Sequence, residues 1–259
     1  MPVLTRSAHK GAPTLIPAPG LTLLQGRAHE ACGPARISFA LMLAQVTAGP
    51  VLWIRLSHAE GQLTGDGIRD WIEPGRIIFV TPDRPRDLFW AAEEALRSGA
   101  APLTILELTE SPPLTPVRRL HLAAESAGTR PTLLLLTPGE GGAQGIETRW
   151  YTEPAPGWAT PAGQPAWGVT RTRARLAPPA TWRIEREGKS LSATPAPLRN
   201  PAEPQSEKRT AAAARGPGFS ERKTGEKRHG ASAPPFNSVH ERGSIRLRGA
   251  GTRHARERC

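Results

Sequence analysis

The chain reads as an α/β protein: a mostly parallel sheet flanked by helices, followed by a small antiparallel extension. Three observations predict this class. Short runs of Val, Ile and Leu recur at Val51–Leu56, Arg76–Val80, Leu103–Leu108 and Thr132–Leu136, each bounded by Gly or Pro. Apolar runs without alternation are what strands covered on both faces require. Between them lie segments whose apolar residues repeat at helical spacing, and strand–helix alternation implies right-handed crossovers in one sheet. After the Gly-rich stretch Gly139–Gly145 the pattern changes to short strands joined by Pro-rich loops.

Taken in order, residues 1–20 are rich in Pro, Gly and Ala without period and read as a flexible N-terminal segment. Gly26–Ala44 reads as a short strand, a Gly33-Pro34 turn and a helix. That helix, Arg36–Thr47, is apolar nearly all round, which suits a central, covered position. Arg86–Arg97 puts Leu88, Ala91, Ala92, Ala95 and Leu96 on one stripe, and Ser98-Gly99 supplies its stop. From Thr115 a further helix is predicted, with Thr115 as N-cap, Pro116 in the first helical position and Gly128 after its end. Trp53, Trp71 and Trp90 are expected in the core. Glu147–Glu153, Trp167–Leu176 and Thr181–Glu187 are the strands of the extension. The α/β domain is thus bounded at 21–190, and 191–259 forms a basic, low-complexity tail with few large apolar groups, expected to be disordered.

Composition sharpens the division. The 259 residues carry 34 Lys+Arg and 23 Asp+Glu, a formal net charge of +11. Residues 1–190 hold 20 Lys+Arg against 17 Asp+Glu, or +3, and residues 191–259 hold 14 against 6, or +8. The basic excess therefore belongs to the tail, which could contact DNA electrostatically without sequence preference. Its Arg/Gly/Ala/Pro character is also what a shifted reading frame of GC-rich DNA yields, so an unselected extension is the competing reading. Cys32 and Cys259 are the only cysteines, which excludes a disulfide framework and a cysteine-rich zinc module. No run approaches the roughly 20 apolar residues of a membrane span. The N-terminus has no signal-peptide core, and a cytoplasmic location is expected.

Chemistry concentrates at the Gly33-Pro34 turn. A helix N-terminus beside a glycine turn is a natural phosphate cradle. A working P-loop, however, ends in Gly-Lys-Ser/Thr, so that the lysine reaches the terminal phosphates and the hydroxyl holds magnesium. Here Gly33-Pro34-Ala35-Arg36-Ile37-Ser38 has no lysine, and no lysine occurs between residues 11 and 188. A tight strand-to-helix turn without nucleotide is the simpler reading. Gly33, Pro34, Arg36 and Ser38 form, at most, part of a degenerate nucleotide site. His29 and His58 read as turn or crevice residues, His121 as surface or boundary, and Cys32 as a small buried residue. No metal-ligand spacing and no Ser/His/Asp arrangement occurs. Trp150, Tyr151, Trp158, Trp167 and Trp182 share a region with Arg171, Arg173, Arg175, Arg183 and Arg186. Aromatics among arginines either stack bases and neutralise phosphate or simply pack a small β extension.

The order of these elements resembles the RecA-type ATPase core. HEACGPAR, GPVLWI, FWAAEEALRSGA, RRLHLAAESAGTR and ARLAPPATWRIE resemble, more closely, the ImuA group of RecA-like proteins, over roughly residues 20–187. The resemblance implies a RecA-like fold and a part in SOS mutagenesis. There, ImuA acts with a Y-family polymerase homologue and an error-prone replicative-type polymerase in translesion synthesis. It also sets Glu107 at the place of the magnesium-organising acid, and Ser57, with Glu60 displaced nearby, at the place of the water-activating glutamate. With that glutamate and the P-loop lysine both missing, the expectation is a non-catalytic adaptor without ATP or magnesium that docks such polymerases or RecA. The alternatives are a weak DNA-dependent ATPase and a SulA-like inhibitor of the division protein FtsZ.

Overall fold

The computed structural model describes residues 13–61, 63–155 and 165–199, all of which lie in one compact unit. The elements are β1 (Thr14–Ala18), β2 (Leu21–Leu24), β3 (Ala28–Cys32), α1 (Arg36–Val46), β4 (Val51–Ile54), the short α2 (Gly65–Arg69) and β5 (Ile77–Val80). Then come α3 (Pro85–Ser98), β6 (Leu103–Glu107), α4 (Leu114–Ser126), β7 (Thr132–Leu136), β8 (Thr148–Pro154), β9 (Ala166–Ala174), β10 (Ala180–Glu187) and β11 (Ser190–Ala196). Among the described residues, nine strands form one sheet in the order β11-β10-β9-β8-β3-β7-β6-β4-β5. Pairing is parallel from β8 through to β5 and antiparallel from β8 out to β11. The class is therefore mixed α/β with a large, mostly parallel sheet flanked by helices, as the sequence pattern predicts.

Period-two alternation explains the unbroken apolar runs. On β7, Leu134 and Leu136 enter the core shared with α1, while Leu133 and Leu135 enter the core shared with α3 and α4. Both faces are covered, so every position must be apolar. In α1 the six consecutive residues Phe39–Ala44 are all buried, because the helix packs on the sheet and also touches β1. Helix α3 begins at Pro85, carries Asp87 in its first turn and Arg97 in its last, and stops at Gly99 with φ +61°. This is the polarity that the helix dipole and a left-handed C-terminal residue favour.

Four expectations are corrected. Strand β1 falls inside the segment expected to be flexible: it pairs with β2, and the hairpin sets Leu15, Ala18, Leu21 and Leu23 into the α1 core. Its Pro19-Gly20 turn has Gly20 at φ +86°, where an added Cβ would lie 2.6 Å from the Trp182 indole. Strand β11 extends the sheet past the expected boundary at 190, turning on Gly188-Lys189 and setting Leu191 and Ala193 against the same core. Helix α4 starts at Leu114, so Thr115 lies inside the helix and no side chain caps it. Pro116 falls in the first turn, where no intrahelical N–H bond is needed. Trp53 and Trp71 are buried, but Trp90 is 65% exposed, because the inner stripe of α3 is Leu88, Ala92 and Leu96 and residue 90 points away from it. Residues 1–12 of the expected N-terminal segment, Trp158, and the tail from residue 200 with Cys259 lie outside the described residues. Among the described residues no helix is long and apolar enough to cross a membrane.

Candidate functional site: the crevice at the carboxyl ends of β3 and β6

Open α/β sheets place ligands outside the carboxyl ends of their strands, where connections leave for opposite faces. Here that place is formed by the turn after β3, the end of β6 and the loop after β7. Register sets Glu107 opposite Leu136, and Leu136 opposite Ala31, so Glu107 is level with the last residues of β3.

Gly33 has φ +87°, and a Cβ there would stand 2.5 Å from the Thr152 carbonyl oxygen. Glycine is required both by the conformation and by this approach. The turn is closed from within. The Gly33 N–H donates to the Gly139 carbonyl (2.9 Å), the Ala35 N–H to the Thr152 carbonyl (2.9 Å) and the Arg36 N–H to the Gly33 carbonyl (3.3 Å). Pro34 has no N–H to offer. Residues 33–36 thus present no free backbone donor. The Arg36 guanidinium folds back on the Gly33 carbonyl (3.3 Å) and its Nε is buried without a partner. Ser38 is half-buried in the first turn of α1.

Glu30, on β3, holds the covering loop down. It is fully buried. Its Oε1 accepts from the Thr137 hydroxyl (2.7 Å) and from the backbone N–H groups of Gly142 (2.8 Å) and Ala143 (3.0 Å). Its Oε2 accepts from Arg149 Nε, and Arg149 Nη2 returns to the Ala143 carbonyl at 2.8 Å. Gly141 passes so close that a Cβ would meet Glu30 Oε1 at 2.8 Å. Farther out, Arg199 donates twice to Glu140 (2.7 and 2.8 Å), lies 3.6 Å from the Tyr151 ring centroid and gives its backbone N–H to Thr181 Oγ1. The chain after β11 is thereby strapped across β10 and β8 to the same loop. Sequence reading singled out Glu30 only beside His29; its four donors come from residues more than a hundred positions away.

Glu107 is also engaged. Its Oε2 accepts from the Trp53 indole N–H (3.1 Å) and lies 3.6 Å from Arg55 Nε. Arg55 in turn donates to the carbonyls of Ala59 (3.0 Å) and Glu60 (2.9 Å). A resident guanidinium therefore faces the carboxylate from the place where a metal-ligating acid would need an open side. Ser57 is exposed and donates to Asp83 (2.7 Å), and His58 and Glu60 are exposed on the same loop. A cavity of about 220 Å³ opens beside them, lined by Arg55, Ser57, Leu63, Phe79 and Thr81.

Two histidines differ from expectation. His29 is fully buried in β3: its Nε2–H donates to the Leu24 carbonyl (2.9 Å) and its Nδ1 accepts from Thr148 (2.6 Å). Thr148 Oγ1 itself accepts from the Trp150 indole at 2.7 Å, which leaves its hydrogen for His29 and fixes that tautomer. Burial lowers the His29 pKa to about 4. His121, also buried, accepts the Ala28 N–H at its Nδ1 (3.3 Å), and burial lowers it likewise to about 4. Both are packing histidines, and they escaped the pattern because each belongs to a contact between distant segments. Cys32 is buried as expected; burial and then Glu30 push its thiol up to about 12. Among the described residues no group of three or more His, Cys, Asp or Glu could hold a metal ion.

The four candidate nucleic-acid arginines are not brought to one face. Arg171 lies over the Trp150 and Trp182 rings, at 5.7 and 5.2 Å, and donates to the Pro178 carbonyl. It faces the α1 side, whereas Arg183 sits opposite Gly168 in the alternate register and pairs with Glu185 at 2.6 Å. Arg175 faces Glu147 at 3.6 Å, and Arg173 is exposed beyond a bulge in the β8–β9 pairing. Trp150 stacks on Phe39, and Trp71 meets Trp167, inside the core. These aromatics pack the extension. No family model matches the chain, and no curated protein matches it. The donor set at the crevice does not fit a magnesium-bound nucleotide: the turn has no lysine and no free N–H at residues 33–36, and Glu107 is already paired.

Proposed function

We propose that this protein is a RecA-fold accessory protein of the ImuA type, a non-catalytic cytoplasmic adaptor in SOS-induced translesion DNA synthesis. It works by docking a Y-family polymerase-like protein, an error-prone replicative-type polymerase or RecA. The sequence motifs from Gly33-Pro34 through ARLAPPATWRIE support the family reading, and the parallel order β3-β7-β6-β4-β5 is compatible with it. The observation that carries the non-catalytic part is the closed turn after β3, whose N–H groups are spent on Gly139, Thr152 and Gly33. A phosphate arriving at residues 33–36 would have to displace these internal hydrogen bonds.

Two measurements test this reading. Titration with a fluorescent ATP analogue and magnesium is expected to give no saturable signal; tight binding that is lost in Glu107→Ala returns the weak-ATPase alternative. Co-purification with a Y-family polymerase-like protein, and loss of damage-induced mutagenesis on deletion, are the expected cellular results. Absence of both overturns the adaptor assignment.

A further inference from the structure

The outer surface of α3 and α4 carries the feature that the core does not explain. Helix α3 buries Leu88, Ala92 and Leu96 inward, yet leaves the Trp90 indole 65% exposed. Beside it, between the two helices, lies a groove of about 150 Å³ with Phe89, Pro116 and Leu120 on its floor. A cavity of that size holds one benzene-sized group. Arg86 and Arg119 line its two sides, and both are exposed, at 73% and 65% of the side chain.

Charge selects the occupant. The one acidic residue lining the groove, Glu93, is buried, and its two oxygens are taken by Arg97 and by Arg119. Arg97 also meets Glu94 at 3.2 Å, whereas Glu93 is the partner that Arg119 has. The acid nearest Arg86 is Asp87, at 3.5 Å, and Arg118 is exposed with no ion pair among the described residues. The groove is therefore apolar in its floor and basic at its mouth. Grooves between packed helices accept a third helix, read through apolar anchors one turn apart. Trp and Arg are also the side chains that most often dominate binding energy at interfaces.

We infer that the α3–α4 groove is a docking site for an acidic amphipathic helix, whose apolar anchor enters between Phe89, Trp90 and Leu120 while carboxylates on either side meet Arg86 and Arg119. The site gives the adaptor reading a surface, and it is tested without reference to any polymerase.

The probe is a stapled helical peptide of about fifteen residues, long enough to hold a helix, with Leu at i and i+4 and Glu flanking both. The control replaces each Glu by Lys. Anisotropy with the full chain is expected to show saturable binding of the Glu peptide, weakened by salt, and little binding of the Lys peptide. Trp90→Ala is expected to weaken binding about tenfold or more, and Arg86→Glu to shift preference toward the Lys peptide. Both side chains are exposed, so urea unfolding of the variants should match the parent. Equal binding of the two peptides, or an unchanged affinity in Trp90→Ala, overturns the inference. Concentration-dependent dimerisation abolished by Trp90→Ala overturns it in favour of a second copy as occupant. A positive peptide result with no polymerase partner would instead sink the translesion assignment alone.

Discussion

Replacing Glu30 tests whether the loop after β7 is held on β3 by a buried ion pair. Glu30→Ala removes the acceptor for Thr137, Gly142, Ala143 and Arg149 together. Breaking one partner of a buried pair costs about 3–5 kcal/mol, and each stranded N–H adds about 1–3 kcal/mol where water cannot reach it. The Arg149 side chain is 18% exposed, and the loop can open so that water reaches the stranded donors, which leaves the pair cost alone: about 4 kcal/mol. That is a large fraction of the ~5–15 kcal/mol that holds a domain folded. Glu30→Gln keeps an oxygen for the three donors on Oε1 but turns an NH₂ toward Arg149, so about 2–3 kcal/mol is expected. The double variant Glu30→Gln/Arg149→Met should lose less than the sum of its singles, by about 1 kcal/mol or more. Urea unfolding followed by tryptophan fluorescence reads all of these, because Trp150 is fully buried against Phe39. A cost below about 1 kcal/mol for Glu30→Ala with an unchanged m-value, or additivity in the double variant, refutes the reasoning.

Three further outcomes follow from named contacts. His29 and His121 have pKa values of about 4 in the folded chain against about 6.5 unfolded. The unfolded chain therefore binds more protons between those values, and stability falls as pH drops from about 6.5 toward 4. The slope is at most ~1.4 kcal/mol per pH unit for His29 and smaller for His121; a Tm that stays flat between pH 7 and 5 contradicts it. The Cys32 thiol, raised to about 12, should resist iodoacetamide at pH 8 until the chain is unfolded, as peptide mass mapping will show. Gly33→Ala would place a methyl 2.5 Å from the Thr152 oxygen at φ +87°, so it should lower Tm by several degrees, corresponding to a loss of about 1–3 kcal/mol.

The sequence revealed the parallel core because burial on both faces leaves a local signature. Thr132–Leu136 needs only to be apolar throughout, and Arg36–Thr47 apolar all round, for their places to be inferred. The two strands that sequence reading missed carry weaker signatures. Thr14–Ala18 includes a proline and leaves Ile16 52% exposed; Ser190–Ala196 alternates Leu191 and Ala193 with polar residues and also contains proline. Each depends on a partner already in place, β2 in the first case and β10 in the second. Side-chain aim was harder still. Arg171 and Arg183 look alike in sequence, but direct pairing of Ala180 with Arg171 puts Arg183 on the opposite face. Strand register is a long-range property, and a one-residue shift exchanges the faces.

The same reasoning connects the missing lysine to the rest of the crevice. In a phosphate-binding turn the backbone N–H groups after the strand point outward, and the ligand supplies their acceptor. Here the protein itself supplies the acceptors for Gly33, Ala35 and Arg36, from Gly139 in the loop after β7, from Thr152 on β8 and from Gly33. Pro34 has no N–H to add to them. The Gly139 carbonyl is in reach because Glu30 draws Gly142 and Ala143 onto β3, and Thr152 is in reach because β8 pairs directly with β3. Across the sheet, Arg55 brings its own positive charge to Glu107. A lysine alone, introduced at Arg36, would therefore face a turn whose N–H groups at Gly33, Ala35 and Arg36 are already bonded. Closure of the crevice is written into the strand before it, the strand beside it and the loop above it. The unexplained chemistry is left on the outer helices, at Trp90 and its arginines.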